Sequence, residues 1–315
     1  MREQFLGEYI RQERLKRGIT QEQLCAGICE PITVSRMENG KQTPSYSRIC
    51  AFLQRLGLPD DRYFALLSKN EMEIKVLQDE LRANSVRLDR ATPENRSGIC
   101  AEGLNKLKKL EELAEEDDHI IRQYILFMKS IFGKPDGPYS LENQLELRLQ
   151  ALHLTVPGLD LEEINLGLYS LEETSLLNAI ACDYAQMGQL KKAIDIYRQL
   201  LKYVQKHCHN LSQYGKKFAL VAHNYTHTLI LDKRYDDALA IAELGWKVCV
   251  EYAHYQFLPG LLELLGECWF YKGDREKCIE YYRRAYYVYK AIGNERDCSL
   301  LEQSVKAQLG QGFPL

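Results

Sequence analysis

The sequence predicts an all-α protein: an N-terminal helix-turn-helix domain followed by a right-handed superhelix of helix pairs. Three observations predict it. The stretch from Gly18 to Pro44 alternates helix stops, caps and short apolar stripes at the spacing of two helices joined by a tight turn. The rest of the chain places apolar residues at helical intervals, with no convincing strand run. Its segments fall in pairs broken by Gly and Pro, and one pattern recurs three times.

Helix one reads from Phe5 to Arg17, with Phe5, Tyr9, Ile10 and Leu15 as its inward stripe. Gly18 ends it. Thr20 is the N-cap of helix two, and Gln23 three residues on completes a capping box. Leu24 and Ile28 give that helix its apolar side. Cys29 and Glu30 turn the chain, and Pro31 suits the first position of helix three. Val34 and Met37 face inward from helix three, and Asn39-Gly40 stops it. Thr43-Pro44-Ser45 opens a fourth helix with the face Ile49, Phe52, Leu53 and Leu56. Gly57-Leu58-Pro59 ends it, and Tyr63, Phe64, Leu66 and Leu67 are expected to complete the small domain.

With Val34 and Met37 inward, helical geometry turns Ile32, Thr33 and Arg36 outward. A recognition helix of this kind enters the major groove and reads base edges from its N-terminal half, which Pro31 begins. Arg36 can take a guanine bidentately, and Ile32 and Thr33 can pack on a thymine methyl. Gln21 lies at a helix N-terminus, where backbone N–H groups suit a phosphate. Asn39, Lys41 and Thr43 follow the recognition helix and are placed to hold the DNA backbone.

From Leu6 to Leu58 the chain resembles the helix-turn-helix of the Xre and Cro repressor family. The signature is Arg14, Gly18, Thr20-Gln21-Glu22, Leu24, Val34-Ser35-Arg36, Glu38-Asn39-Gly40 and Pro44. The resemblance implies that Arg14 pairs with Glu38 and locks the first helix onto the third, which makes both residues structural.

Composition limits the rest. At 315 residues there is room for two cores. Apolar content of 45% and charged content of 27% are those of a globular protein, and no apolar run reaches membrane-spanning length. Without a signal peptide the expected location is the cytoplasm. Ten cysteines with no CxxC pair read as small, reduced thiols among apolar neighbours. Met1 to Leu58 carries a net +3, while the whole chain carries −3, so the larger part is acidic. Nucleic-acid binding therefore belongs to the head, and so modest a charge favours two copies, a homodimer on double-stranded operator DNA.

The expected organisation is a DNA-binding domain over 1–67, a linker helix over 68–90 and a repeat domain over 91–315. The linker, Asn70 to Arg90, has Met72, Ile74, Val76, Leu77, Leu81 and Leu88 as apolar positions. It reads equally as a first repeat helix and as a dimer contact. Helix pairs are expected over Asn70 to Ala114 and Asp117 to Thr155. Three further units run Leu176 to Val204, Ala219 to Val248 and Leu261 to Tyr289. They resemble tetratricopeptide repeats, with Lys233 where the first and last units have the turn residues Gly188 and Gly273, and with Cys278 in the small-residue slot of Ala193 and Ala238. Stacked pairs of that kind make a right-handed superhelix lined inside by the first helix of each pair. Asn178, Cys182, Ala185 and Gln186 are placed there in one unit. His223, Asn224, His227 and Ile230 are placed there in the next, and Glu263, Glu267, Phe270 and Tyr271 in the last. Amides can donate to and accept from a single peptide unit, which suits an extended peptide.

The Xre-like head, linker helix and repeat body together resemble the peptide-pheromone receptors of Gram-positive bacteria, the PlcR and Rgg groups. The segment Asn224 to Tyr235 is similar to the PlcR stretch that carries a peptide-clamping Asn, which implies that role for Asn224. Tyr169 to Asn178 resembles the Rgg style. The family implies a homodimer, a short linear signalling peptide and quorum-sensing control of nearby genes. The alternative is a regulator whose repeats bind a protein partner. Catalysis is not expected: no phosphate loop, GxSxG or paired nucleophile and base occurs. Neither is a cofactor or metal. His223 and His227 have a zinc-compatible spacing but no third ligand, and His207-Cys208-His209 points its side chains to different faces. The tyrosines Tyr281, Tyr282, Tyr286, Tyr287 and Tyr289 are expected to pack between repeats.

Overall fold

A computed structural model of the chain describes residues 6–60, 68–89, 91–134, 137–208 and 213–310. The described residues hold fifteen α-helices, as expected of an all-α chain, and a single isolated bridge between Lys134 and Gly137. Two compact units result, and the division falls between Asp183 and Tyr184.

The first unit begins with four short helices: α1 (Leu6–Lys16), α2 (Gln21–Cys25), α3 (Pro31–Glu38) and α4 (Tyr46–Arg55). The Thr20 hydroxyl accepts from the Gln23 N–H, and the Gln23 side chain accepts from the Thr20 N–H, so both halves of the capping box form. Pro31 stands in the first turn of α3. One core joins Ile10, Leu24, Ile28, Val34, Met37, Ile49, Phe52, Leu53 and Leu56. Leu15 is a correction: it is 58% exposed, and the inward positions of α1 are Ile10 and Arg14. The charged residue took the core side because Glu38 meets it there. The expected contribution of Tyr63, Phe64, Leu66 and Leu67 lies outside the described residues, as does that of Phe5.

The linker forms α5 (Lys69–Asp89), which packs with α6 (Pro93–Leu113) and α7 (His119–Phe132); α7 pairs with α8 (Leu141–Thr155). The Glu71 carboxylate, in the first turn of α5, accepts from the Tyr46 N–H at 2.6 Å and so caps α4. Leu77, Leu81 and Leu88 are buried, whereas Met72 and Val76 stay exposed. After a short 3-10 turn at Ile164–Leu166 comes α9 (Leu171–Gln186).

The second unit stacks α10 (Leu190–His207), α11 (Tyr214–Leu231), α12 (Tyr235–Glu251), α13 (Leu258–Tyr271), α14 (Arg275–Ala291) and α15 (Glu295–Leu309), each against the next. Ala193, Ala238 and Cys278 are all fully buried, as their shared repeat slot requires. The turns at Gly188, Lys233 and Gly273 have φ of 77°, 60° and 79° and close with the same pair of backbone bonds. Pro259-Gly260 does not break the chain: it opens α13, where a first-turn proline loses no helical bond. Tyr282 and Tyr289 are buried, while Tyr287 is exposed.

Candidate nucleic-acid interface and ligand face

In the head the expected ion pair forms. Arg14 donates from Nε and Nη2 to the two oxygens of Glu38, at 2.7 and 2.8 Å, with both side chains buried. Its third nitrogen, Nη1, donates to the Ile19 carbonyl. Gln21 adds a bond from Nε2 to Glu38 Oε2 at 2.7 Å. Its side chain thus helps to hold α2 on α3, while its backbone N–H stands at the start of α2, where a phosphate is met. Glu38, receiving three donors, fixes the recognition helix to α1 and α2.

That anchoring sets the outer face of α3. Ile32 is 55% exposed, Arg36 is exposed, and Pro31 and Thr33 are half-buried. Arg36 enters no ion pair among the described residues, unlike Arg14, Arg48 and Arg55. Beyond α3, Asn39, Lys41 and Thr43 are exposed. The Asn39 side chain donates to the Ser35 carbonyl at 2.7 Å and finishes the helix. An exposed arginine flanked by an apolar side chain and a hydroxyl, on a rigidly seated helix, is suited to base edges.

In the second unit α11 and α13 pack side by side. His223 and Asn224 are half-buried neighbours on α11, with His223 Nδ1 3.3 Å from Asn224 Oδ1, and His227 one turn on is exposed. Burial lowers the basicity of His223, and the surrounding helices partly desolvate His227 and lower it too although its ring keeps a solvent-exposed edge, so both rings are neutral near pH 7 and each can donate and accept. A Cβ on Gly260 would lie 3.0 Å from His223 Nε2 and 3.8 Å from the Tyr289 hydroxyl, which brings α11, α13 and α14 together at one point. The Tyr289 hydroxyl donates to Glu263 Oε2 at 3.0 Å. Burial pushes the Glu263 carboxyl up to about 7, against the pull of that hydrogen bond, and raises Glu267 as well. Phe270 is half-buried, and Tyr271 is exposed and stacked on Tyr235. His223, Asn224, Glu263 and Glu267 are therefore gathered on adjoining helices. Tyr289 and Gly260 belong with them and were not anticipated; the helical spacing of the tyrosines suggested packing alone.

Asn178, on α9 in the first unit, is buried, and Gln186 at the end of that helix is exposed. Among the described residues no group of three His, Cys, Asp or Glu side chains could hold a metal ion. No helix there is long and apolar enough to cross a membrane.

A helix-turn-helix head on a body of paired helices defines a DNA-binding regulator rather than an enzyme. A helix-turn-helix domain model matches residues 6–63, and the model of the RNPP family C-terminal domain matches residues 146–303. The chain belongs to the RNPP family. Among solved structures it is similar to Bacillus thuringiensis PlcR in complex with the peptide PapR7 and DNA, at 22% identity and a TM-score of 0.58 over 95% of this chain and 99% of that one. The apo form of the same protein gives 20% and 0.54, over 95% and 98%. The apo form of the competence regulator ComR from Streptococcus vestibularis gives 16% and 0.50, over 97% and 98%. At these identities the likeness is one of fold. Among curated proteins none matches the chain.

Proposed function

We propose that the chain is a cytoplasmic, homodimeric transcription regulator whose DNA binding is controlled by a short linear signalling peptide. Base reading is assigned to Ile32, Thr33 and Arg36, and backbone contact to Gln21, Pro31, Asn39, Lys41 and Thr43. Peptide binding is assigned, within the second unit, to the face formed by His223, Asn224, His227, Glu263, Glu267, Phe270 and Tyr271, and separately to Asn178 and Gln186 of α9. The observation that carries this reading is Asn224. Its amide lies half-buried beside the neutral His223 ring, on a helix that packs against α13, the helix that carries Glu263 and Glu267. Such an array can pair with the N–H and C=O groups that an extended peptide must bury, whatever its sequence. The PlcR structure with its peptide and DNA shares the fold and supports the same division of labour.

Calorimetric titration of the signalling peptide into the Asn224→Ala protein tests the reading. The substitution leaves backbone groups of the peptide unpaired and costs about 1–3 kcal/mol, roughly ten- to a hundredfold in affinity. Wild-type affinity in that variant contradicts the assigned face. Thermal stabilisation by a folded protein partner and by no short peptide supports the alternative reading instead. Sedimentation on operator DNA checks the dimer, which is expected on a two-fold symmetric site with half-sites about one helical turn apart or a multiple of it.

A further inference from the structure

We propose that Cys25 and Cys29 form a redox-modifiable thiol pair, which a peroxide closes to an intrachain disulfide that displaces the start of the recognition helix. The two residues bracket the turn of the helix-turn-helix: Cys25 ends α2, and Cys29 precedes Glu30, the residue before α3. The Cys29 N–H donates to the Cys25 carbonyl at 3.1 Å, and the Ile28 N–H to the same oxygen at 2.8 Å. A turn closed in this way brings the two Cα atoms to about 6 Å, within the span that a disulfide bridges. The Cys25 thiol donates to the Glu22 carbonyl at 3.6 Å, and the two thiols influence each other's titration.

The pair is asymmetric in the way that oxidation chemistry requires. Cys25 is buried at 2% exposure, whereas Cys29 is half-buried and reachable. The Cys25 thiol, the Arg48 and Arg55 guanidinium groups and the Thr33 hydroxyl draw the Cys29 thiol below its ordinary value, against burial. The neighbouring Cys29, and then burial, hold Cys25 above its own. The thiolate is the nucleophile, so Cys29 reacts first. Its sulfur attacks one oxygen of hydrogen peroxide, the O–O bond breaks, and a sulfenic acid and one water form. The Cys25 sulfur then attacks the Cys29 sulfur, the S–O bond breaks, and a second water leaves with the Cys25 proton. Two thiols have lost two electrons and two protons, and one peroxide has become two waters.

The fold decides which end of the turn moves. Closing the disulfide brings the two sulfurs to about 2 Å and turns the Cys25 thiol away from the Glu22 carbonyl. The middle of the turn cannot follow. Gly27, at φ +71°, is packed so closely on α8 that a Cβ there would lie 2.2 Å from the Thr155 carbonyl oxygen. Its own carbonyl is held by His119 Nδ1 at 2.9 Å. The adjustment therefore falls on Cys29 and the first turn of α3, whose Thr33 N–H bond to the Glu30 carbonyl lies next to it.

The test uses the full-length protein, hydrogen peroxide and a random-sequence DNA duplex. The tryptic peptide Gly18–Arg36 holds both cysteines and no other. After peroxide, alkylation and digestion, that peptide should be lighter by two hydrogens and unalkylated. Affinity for the duplex should fall about tenfold, as backbone contacts lose register, and return with dithiothreitol. Cys29→Ser should bind the duplex as the untreated wild type does and ignore peroxide. Cys25→Ser should instead accumulate a sulfenic acid at Cys29 that dimedone traps. If the buried Cys25 variant does not fold, Cys29→Ser alone carries the comparison. Two alkylatable thiols after peroxide, over-oxidation of Cys29 without a cross-link, or unchanged DNA affinity with the disulfide in place would each overturn the proposal.

Discussion

The guanidinium of Arg55, the last residue of α4, reaches the carboxylate of Glu173 on α9 at 3.0 Å, across 118 residues of sequence, and both side chains are 2% exposed. Arg55 also donates to the carbonyls of Leu24, Ala26 and Thr155, each at 2.9 Å. The other Glu173 oxygen accepts from the Ser170 N–H at 2.6 Å. One arginine thus ties the helix-turn-helix turn to the ends of α8 and the start of α9, inside the first unit. Removing either partner leaves an uncompensated buried charge. Arg55→Ala and Glu173→Ala should each cost about 3–5 kcal/mol in denaturant unfolding, and the double replacement Arg55→Met with Glu173→Leu should cost less than the sum. A loss in the single variants no larger than that of an exposed pair would remove this latch from the account.

Arg36→Ala should weaken binding to the cognate operator by about 1–3 kcal/mol and relax preference at one base pair. The expectation rests on its exposure and on its entering no ion pair among the described residues. Binding to specific and random duplexes should be compared by fluorescence anisotropy. An equal loss on both would reduce Arg36 to a phosphate contact.

What was legible in the sequence follows the range of the interactions. Caps, turns and the Arg14–Glu38 pair lie within one motif of some forty residues, and each appears as expected. The repeat turns were legible for the same reason, since each depends on a left-handed residue at a fixed place. Arg55 was not. It sits among the apolar residues of α4, and nothing near it in sequence announces a partner on α9. Leu15 misled because a periodicity count prefers a leucine to an arginine for the inward position, and only the carboxylate of Glu38 reverses that choice. At the proposed ligand face, His223, Asn224, Glu263 and Glu267 fall on adjoining helices as the repeat register suggests, whereas Ile230, expected beside them, is 5% exposed and belongs to the core. Tyr289 joins Glu263 from a third helix, and the packing of that helix decides which tyrosine does so.

Lys233 occupies a left-handed turn that Gly188 and Gly273 fill in the neighbouring repeats. A side chain at φ 60° crowds its own carbonyl, at a cost of roughly 1–2 kcal/mol that glycine avoids, offset in part by glycine's greater freedom in the unfolded chain. Lys233→Gly should therefore stabilise the protein by about 0.5–1 kcal/mol, read as a higher Tm and an unchanged helical circular dichroism signal. A lower Tm would mean that the lysine side chain makes a contact worth more than the strain.

Glu263 gives the second unit a pH dependence whose sign is fixed by its burial. Its carboxyl titrates at about 7 in the folded protein, against an ordinary 4.5. Between those values the folded state holds a proton that the unfolded state has released. Folding stability from this group therefore falls as pH rises, and the charged form is fully penalised only above about 7. His223 and His227 act in the opposite direction, because burial lowers their basicity and the unfolded chain takes up protons first as pH drops. Their effect is shared by wild type and Glu263→Gln and cancels in the difference. Gln keeps an oxygen that can accept from the Tyr289 hydroxyl and carries no charge at any pH. The stability of Glu263→Gln relative to wild type should thus climb by about 2.5 kcal/mol between pH 5 and pH 8, most of what a full shift of roughly two and a half pH units represents. Urea unfolding of both proteins across that range provides the measurement. A difference that stays flat would place the carboxylate in water and take it out of the ligand face; a difference of the opposite slope would require a cation beside Glu263, whereas the bond that meets it comes from the Tyr289 hydroxyl.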